Sequence, residues 1–419
     1  MIIKGNSKSR VLFASLAGTT IEFFDFYIYA NAAILVFPHL FFPESDPTTQ
    51  MLQSLATFSV AFFARPLGSA FFGHFGDKVG RKATLVASLL TMGLSTIFIG
   101  LLPSYEAIGI VAPLLLLLCR FGQGFGLGGE WGGAVLLAVE NAPSDKRAWY
   151  GMFPQLGAPI GLLMSGGIFL YLTETLSQEN FLDYGWRIPF VASSILIALG
   201  LYIRLKITET PEFIEAGKKG NLEQSVPIKL ILQSHKKALI LGTFIAVATF
   251  GLFYLMTVFL AGWSIQHLDV TEEDFLILQL YSIFFFALMI PVSALYADRF
   301  SPKLIMMLAS VFIILFGIFL SRIVEIGDYG VLLSLSIGML LMGFTYGPLG
   351  TILSNLFPTN VRYTGASLSF NMAGILGASF APFIALWLAE NFGFTFVGYY
   401  LAILALISLF ATILSKSKS

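Results

Sequence analysis

Charged residues are scarce in this chain. Only 11% of its 419 residues are Asp, Glu, Lys or Arg, against about 25% in a typical soluble domain, so water is not its main solvent. Lys+Arg and Asp+Glu balance at 24 each, which argues neither for nucleic acid nor for an acidic partner. A single cysteine, Cys119, rules out an internal disulfide framework. The four histidines, His39, His74, His235 and His267, are too scattered for a metal site. No Walker loop is present, so ATP does not drive the protein. A GxGxxG spacing does occur, Gly124-Phe-Gly126-Leu-Gly128-Gly129, but it lies in an apolar run with no strand before it. That context excludes a dinucleotide site, and such glycines instead let a helix approach its neighbours closely. A membrane enzyme would need a nucleophile, a metal or an acid–base set at an interface, and none is visible. No cofactor is expected beyond a coupling proton.

Apolar length takes the place of charge. Hydrophobic residues make up 57% of the chain, and the mean hydropathy is +0.83. A bilayer core of about 30 Å needs roughly 20 apolar residues per helix. Cutting at the polar interruptions predicts spans over 11–38, 51–74, 83–102, 107–140, 149–173 and 186–206. A second set follows over 236–262, 274–297, 303–322, 329–355, 363–388 and 392–413. The runs are continuous rather than alternating, which selects helices over a barrel. Met1–Arg10 is basic, but the apolar stretch after it lacks a small-residue cleavage site and reads as the first span. With both termini cytoplasmic, every Lys and Arg except Arg65, Arg120, Arg187 and Arg322 falls on the inner side. The outer loops carry Glu44, Asp46, Glu174, Glu179, Asp183 and Glu272–Asp274 instead. This bias is the positive-inside pattern for an even number of spans.

The chain repeats itself. Gly73-His-Phe-Gly-Asp77-Lys78-Val-Gly80-Arg81-Lys82 follows the second span, and Ala294-Leu-Tyr-Ala-Asp298-Arg299-Phe-Ser-Pro-Lys303 follows the eighth. Pro143-Ser-Asp-Lys-Arg147 is echoed by Pro358-Thr-Asn-Val-Arg362. The longest cytoplasmic polar stretch divides the chain into residues 1–206, a central loop at 207–235, and residues 236–419, with six spans on either side.

The first of these repeats resembles the loop signature of the major facilitator superfamily. Further residues resemble its metabolite:proton symporter branch, which includes proline/betaine, citrate, α-ketoglutarate and shikimate transporters. They are Glu22-Phe-Phe-Asp25-Phe, Ala64-Arg65-Pro66-Leu67-Gly68, Arg120-Phe-Gly-Gln123-Gly and Gly128-Gly129-Glu130-Trp131-Gly132-Gly133. Thr210-Pro211-Glu212-Phe213 and Phe357-Pro358-Thr359 with Arg362-Tyr363-Thr364-Gly365 belong to the same pattern. The resemblance covers essentially the whole chain. It implies the major facilitator fold: an all-α membrane protein of 12 transmembrane helices in two pseudo-symmetric six-helix bundles. Some osmosensing members of the branch carry a C-terminal coiled coil that has no counterpart here, so osmotic activation by that route is not expected.

Charges inside the spans are the candidate site, because an ionisable group at mid-bilayer costs about 3 kcal/mol and requires a reason. They are Glu22, Asp25, Arg65, Arg120 and Glu130, with Glu140 near a span end, all in the first half. Glu22 and Asp25 are three residues apart, as are Arg120 and Gln123, so each pair shares a helical face. Spans 1 and 4 line the cavity in the fold that the resemblance implies. Asp25 facing Arg120 is therefore the expected proton-coupling centre, with Glu22 and Glu130 as further proton groups; permanent structural ion pairs are the bland alternative. Glu22, Arg65, Gln123, Tyr27, Trp131, Asn371, Tyr254 and Tyr346 are the expected substrate contacts, against ordinary packing or interhelical hydrogen bonding. Arg65 is equally readable as a fixed strut, and Arg187 as an interface anchor. The loop residues Gly73, Asp77, Lys78, Gly80, Arg81, Lys82, Arg147, Asp298, Arg299 and Arg362 are expected to form a conformational gate. A carboxylate there can meet a helix N-terminus and a nearby arginine.

The expected function is proton-coupled symport, in the uptake direction, of a small carboxylate-bearing metabolite by a monomer in the bacterial cytoplasmic (inner) membrane. A zwitterion such as proline or betaine comes first and an organic acid next, since few cavity arginines are present. The rivals are a nutrient sensor that binds without transporting, which the short central loop and tails disfavour, and a uniporter or exchanger.

Overall fold

A computed structural model describes residues 8–206, 208–218, 227–268, 270–326 and 328–415. Lys4, Lys219, Lys416 and Lys418, counted above among the inner bases, and part of the central loop lie outside the described residues. Among the described residues, twelve helices are long and apolar enough to cross a membrane. They are α1 Ser9–Leu35, α2 Leu52–Lys78, α3 Arg81–Leu101, α4 Val111–Glu140, α5 Arg147–Thr175 and α6 Gln178–Leu205. The second six are α7 Lys236–His267, α8 Asp274–Arg299, α9 Pro302–Val324, α10 Tyr329–Asn355, α11 Arg362–Phe392 and α12 Thr395–Leu414.

Each expected span has its helix, and the differences are local. The first span ends at Leu35 rather than 38, because Pro38 opens a separate short helix, Phe37–Phe41. The fourth begins at Val111 rather than 107, since Tyr105–Ile108 is a helix of its own ended by Gly109 at φ 58°. The sixth begins eight residues early, at Gln178, where Ser177 caps the helix and a π-helical turn runs over Phe181–Gly185. Glu179 and Asp183 hid that start by their polarity. Further π turns, Leu255–Phe259 in α7 and Ile375–Ser379 in α11, interrupt helices of the second half, and such turns recur at functional sites.

The two halves pack by one plan. In the first, α1 packs on α5, α2 and α3 on α4, and α3 on α6. In the second, α7 packs on α11, α8 and α9 on α10, and α9 on α12. The halves meet across two symmetry-related seams, α2 on α11 and α8 on α5, flanked by α4–α11 and α10–α5.

The glycines of span 4 serve close approach, as their composition implied. A Cβ on Gly124 would strike the backbone of Ala61, and one on Gly128 would strike the Arg65 carbonyl and sit 2.8 Å from Ser69 N. This contact holds the α2 backbone that carries Arg65. Gly128→Ala should therefore cost about 1–3 kcal/mol by overpacking, read as a lower unfolding temperature in detergent. An unchanged temperature would mean that α2 and α4 do not need this approach.

Candidate functional site

Midway along α1, the side chains Glu22, Asp25, Phe26 and Tyr27 are buried. At 100° per residue their directions diverge, and neighbouring helices decide what each meets. Glu22 lies within the electrostatic reach of Arg65 on α2 and Arg204 on α6. Tyr27, Tyr254 and Tyr346 gather around the same Glu22–Arg65 region, the last two from the opposite half. Asp25 turns instead toward α3 and α6: its carboxylate accepts from Ser193 Oγ, and Thr96 lies beside it. One carboxylate oxygen of each acid, Glu22 Oε2 and Asp25 Oδ2, is buried without a hydrogen-bond partner.

The expected Asp25–Arg120 pair does not form. Arg120 donates to Gln123 Oε1 and to Phe58 O (3.4 Å). Its guanidinium lies over Tyr29 at 3.9 Å, Phe26 at 4.7 Å and Phe58 at 4.8 Å. Gln123 links the two helices: its Nε2 donates to the Asp25 carbonyl (3.1 Å) and to Thr96 Oγ1 (2.9 Å). The amide is thus occupied in joining α4 to α1 and α3 in this conformation. Nor do Glu22 and Asp25 share an environment, since three residues leave them about 60° apart around the helix.

Arg65 is the unusual cation. It is only 6% exposed, and its Nε is buried without a hydrogen-bond partner. Among the described residues no carboxylate lies within ion-pair distance of it. Its guanidinium is held over the rings of Phe26 (4.5 Å) and Phe62 (5.0 Å), and Phe62 in turn meets Tyr254 edge-on across the seam at 5.7 Å.

Below this level the halves are joined. Trp131 stacks on Phe370 of α11 at 3.6 Å, and its indole N–H donates to Gln155 Oε1 (2.8 Å). Gln155 Nε2 donates on to the Tyr346 carbonyl (2.9 Å). Asn371 Nδ2 donates to Ser69 Oγ (2.8 Å) and Ser367 O (2.9 Å). Trp131 and Asn371, expected as substrate contacts, are therefore engaged at the contact between halves, Trp131 by its ring on Phe370 and through Gln155, Asn371 by its amide on Ser69. Glu130, fully buried, is held by Arg204 through both carboxylate oxygens and by Ser88 Oγ (3.1 Å). Arg204 was counted in the sequence as an inner-loop base. The expected sixth span, 186–206, already contained it; what the structure adds is its burial against Glu130.

At the end of the bundle bearing the α2–α3 and α4–α5 connections, a network of charges closes the seams. Asp77 accepts from Tyr363 N (3.1 Å), Thr364 N (3.0 Å) and Thr364 Oγ1 (2.8 Å), capping the first turn of α11 in the opposite half. Asp298 does the same for α5, accepting from Ala148 N and Trp149 N at 2.8 Å each. Free amides and the helix dipole favour a carboxylate at such a place. Around Asp77 the network extends: Arg81 pairs with Asp77 (3.3 Å) and Glu140 (3.4 Å) and reaches Thr359 O (3.1 Å). Arg362 bridges Glu140 (3.3 Å) and Glu212, which also holds Arg147 (2.7 Å). Gly80, at φ 127°, makes the turn from α2 to α3, and Gly73 lets Thr364 pack on α2. Lys82 reaches Leu205 O (2.8 Å) and Arg299 lies over Phe300 (5.6 Å), so both stand outside the interdomain clasp. Arg187, expected as an interface anchor, donates to Gly100 O (2.9 Å) and Leu102 O (2.7 Å) at the end of α3. By the repeat alignment, Pro302 and Asn355 stand where the first half has Arg81 and Glu140. A cavity of about 1080 Å³ lies on that weaker side, lined by Asp298, Asn355, Arg147 and Arg362 among others.

The sequence profile described as Major Facilitator Superfamily matches residues 16–375. The chain belongs to the Major Facilitator Superfamily. Within it, the chain is 53% identical over 98% of its length to the inner membrane metabolite transport protein YhjE of Escherichia coli, covering 94% of that protein. It is 33% identical to the proline/betaine transporter of Escherichia coli (99% of this chain, 85% of that protein). With the shikimate transporter of the same organism the identity is 34% (97% and 94%). The superfamily fold is shared with the proton:xylose symporter XylE, at a TM-score of 0.78 and 15% identity over 97% of this chain and 94% of that one. This member of the superfamily is a multi-pass membrane transporter, not an enzyme.

Proposed function

We propose that this chain takes up a small carboxylate-bearing metabolite together with protons, by alternating access across a bacterial inner membrane. Its basic end, closed here, faces the cytoplasm. The carrying observation is Arg65: a guanidinium buried at mid-membrane between the halves, over aromatic rings, with no carboxylate within ion-pair distance among the described residues. A buried cation without a counter-ion is costly, and a substrate carboxylate is the partner its planar fork matches. Glu22 and the three tyrosines nearby complete a cage with one acid and one base. Such a cage favours a zwitterion, whose ammonium group meets Glu22 or the aromatic rings. The proline/betaine relative supports the same class, and the shikimate relative keeps a hydroxylated organic acid as the second reading. Asp25, buried with one oxygen unpartnered, is the proton carrier in this scheme, acting beside Ser193 rather than Arg120.

Purified protein in liposomes holding an internal pH dye tests this reading. Zwitterions and organic acids are added outside one at a time, with Asp25→Asn as the control. Internal acidification that follows one class and disappears in the variant is expected. Entry of labelled substrate without acidification makes the protein a uniporter or exchanger, and binding without entry makes it a sensor.

A further inference from the structure

Glu130 and Arg204 take part in none of the steps above, yet both are buried. Arg204 Nη1 donates to Glu130 Oε2 (2.9 Å) and to the Leu85 carbonyl (2.6 Å), while Nη2 reaches Glu130 Oε1. The pair is pressed against α1 at Gly18: a Cβ there would strike Arg204 Nη2 and sit 3.1 Å from Glu130 Oε1. Glu22 stands one helical turn further along the same face of α1, about 6 Å in rise. Its Oε2 is buried and unpartnered, and Arg65 and Arg204 are the cations that act on it.

We propose that Arg204 is one cation shared by two buried carboxylates, held by Glu130 and setting the protonation of Glu22 across the Gly18 gap. Arg204 is a positioning residue; it does not touch the transported molecule. The proposal deepens the transport reading and rests on it, in that Glu22 is the cage acid whose charge state matters for binding and coupling.

The surroundings support this assignment. Around Glu22, α1 contributes Tyr27, α2 Arg65, α6 Arg204 and α10 Tyr346, with Tyr254 of α7 beside Tyr27, while Asp25 turns away to Ser193. From α4 comes Glu130, through Arg204, and from α3 the Ser88 hydroxyl, which is bound to Glu130. Helix α5 meets α1 through Gly157 and Gly161. Arg204 also feels Tyr363 of α11, the residue whose amide docks on Asp77 and whose hydroxyl donates to Gly129 O (2.5 Å). The cation that Glu22 feels is thereby placed next to the closing contact of the two halves. While Glu130 is ionised it neutralises most of the Arg204 charge. Once Glu130 is neutral, that charge falls on Glu22, favours its ionised form and makes its protonation require a lower pH.

Infrared titration of the carboxylic acid bands in purified, lipid-reconstituted protein reads this without any substrate. The band lost in Glu22→Gln identifies Glu22. In Glu130→Gln its midpoint should move toward acid by about one pH unit or more. In Glu130→Gln/Arg204→Met, which removes both charges, the midpoint should return to or above that of the wild type. A merely structural pair would lower the amount of folded protein without moving the midpoint. An unshifted midpoint in Glu130→Gln overturns the proposal, as does a double variant that keeps the acid shift. So does a Glu22→Gln spectrum identical to wild type at every pH. Should Glu130→Gln fail to fold, Glu130→Ala, which frees the same Arg204 charge and leaves room for water beside it, takes its place, with the same acid shift expected and an unshifted midpoint again overturning the proposal. Failure here leaves the liposome experiment unaffected, and failure there leaves this titration unaffected.

Discussion

Arg65→Gln is expected to lose substrate binding while gaining thermal stability. Removing one member of a buried, hydrogen-bonded charge pair costs about 2–5 kcal/mol, or roughly 30- to 4000-fold in affinity. Without substrate the same guanidinium is a burden, since it lies buried over Phe26 and Phe62 with Nε unpartnered. A buried charge without a partner destabilises the fold, so its removal should raise the unfolding temperature of the empty protein. Titration calorimetry with the substrate identified in liposomes, beside thermal unfolding without it, reads both effects. Arg65→Lys should not restore binding, because an ammonium cannot offer the paired donors of a guanidinium. If Arg65→Gln binds normally, Arg65 is a strut and the carboxylate anchor lies elsewhere.

Asp77→Ala should open the basic end, and by more than Asp298→Ala does. Asp77 accepts three hydrogen bonds from α11 and is braced by Arg81, whereas Asp298 accepts two amides of α5. Hydrogen bonds to a charged group contribute about 1.5–3 kcal/mol each. Even one such bond lost from the closed state alone shifts the open–closed balance about tenfold or more. Hydrogen–deuterium exchange reads the same amides: over 362–366 it should rise at least about tenfold in Asp77→Ala. Exchange over 147–150 should rise in Asp298→Ala, by a smaller factor. Equal responses would mean that the Arg81–Glu140–Arg362 network adds nothing to the closed state.

Much of this protein was legible in the sequence, for a simple reason. A bilayer imposes length and apolarity on every crossing segment, so twelve spans could be read by counting. The repeated Asp77 and Asp298 loops marked the two-fold plan, and the glycines of span 4 marked a tight contact. Helical period also set which side chains share a face within one helix, as it does for Arg120 and Gln123. Period carries no information about how one helix is rotated against the next. Only the packed structure decided that Asp25 turns to Ser193 instead of Arg120, and that Gln123 joins α4 to α1. The same packing gave Arg65 aromatic rings instead of an acid. Polar span ends concealed the rest: Glu179 and Asp183 masked the start of α6, and Arg204 read as a topological charge though it lies buried against Glu130. Burial costs tell a sequence reader that a charge inside the membrane needs a partner. Which partner it gets depends on helix rotation and on side-chain reach across gaps such as the one at Gly18, and those exist only once the helices have packed.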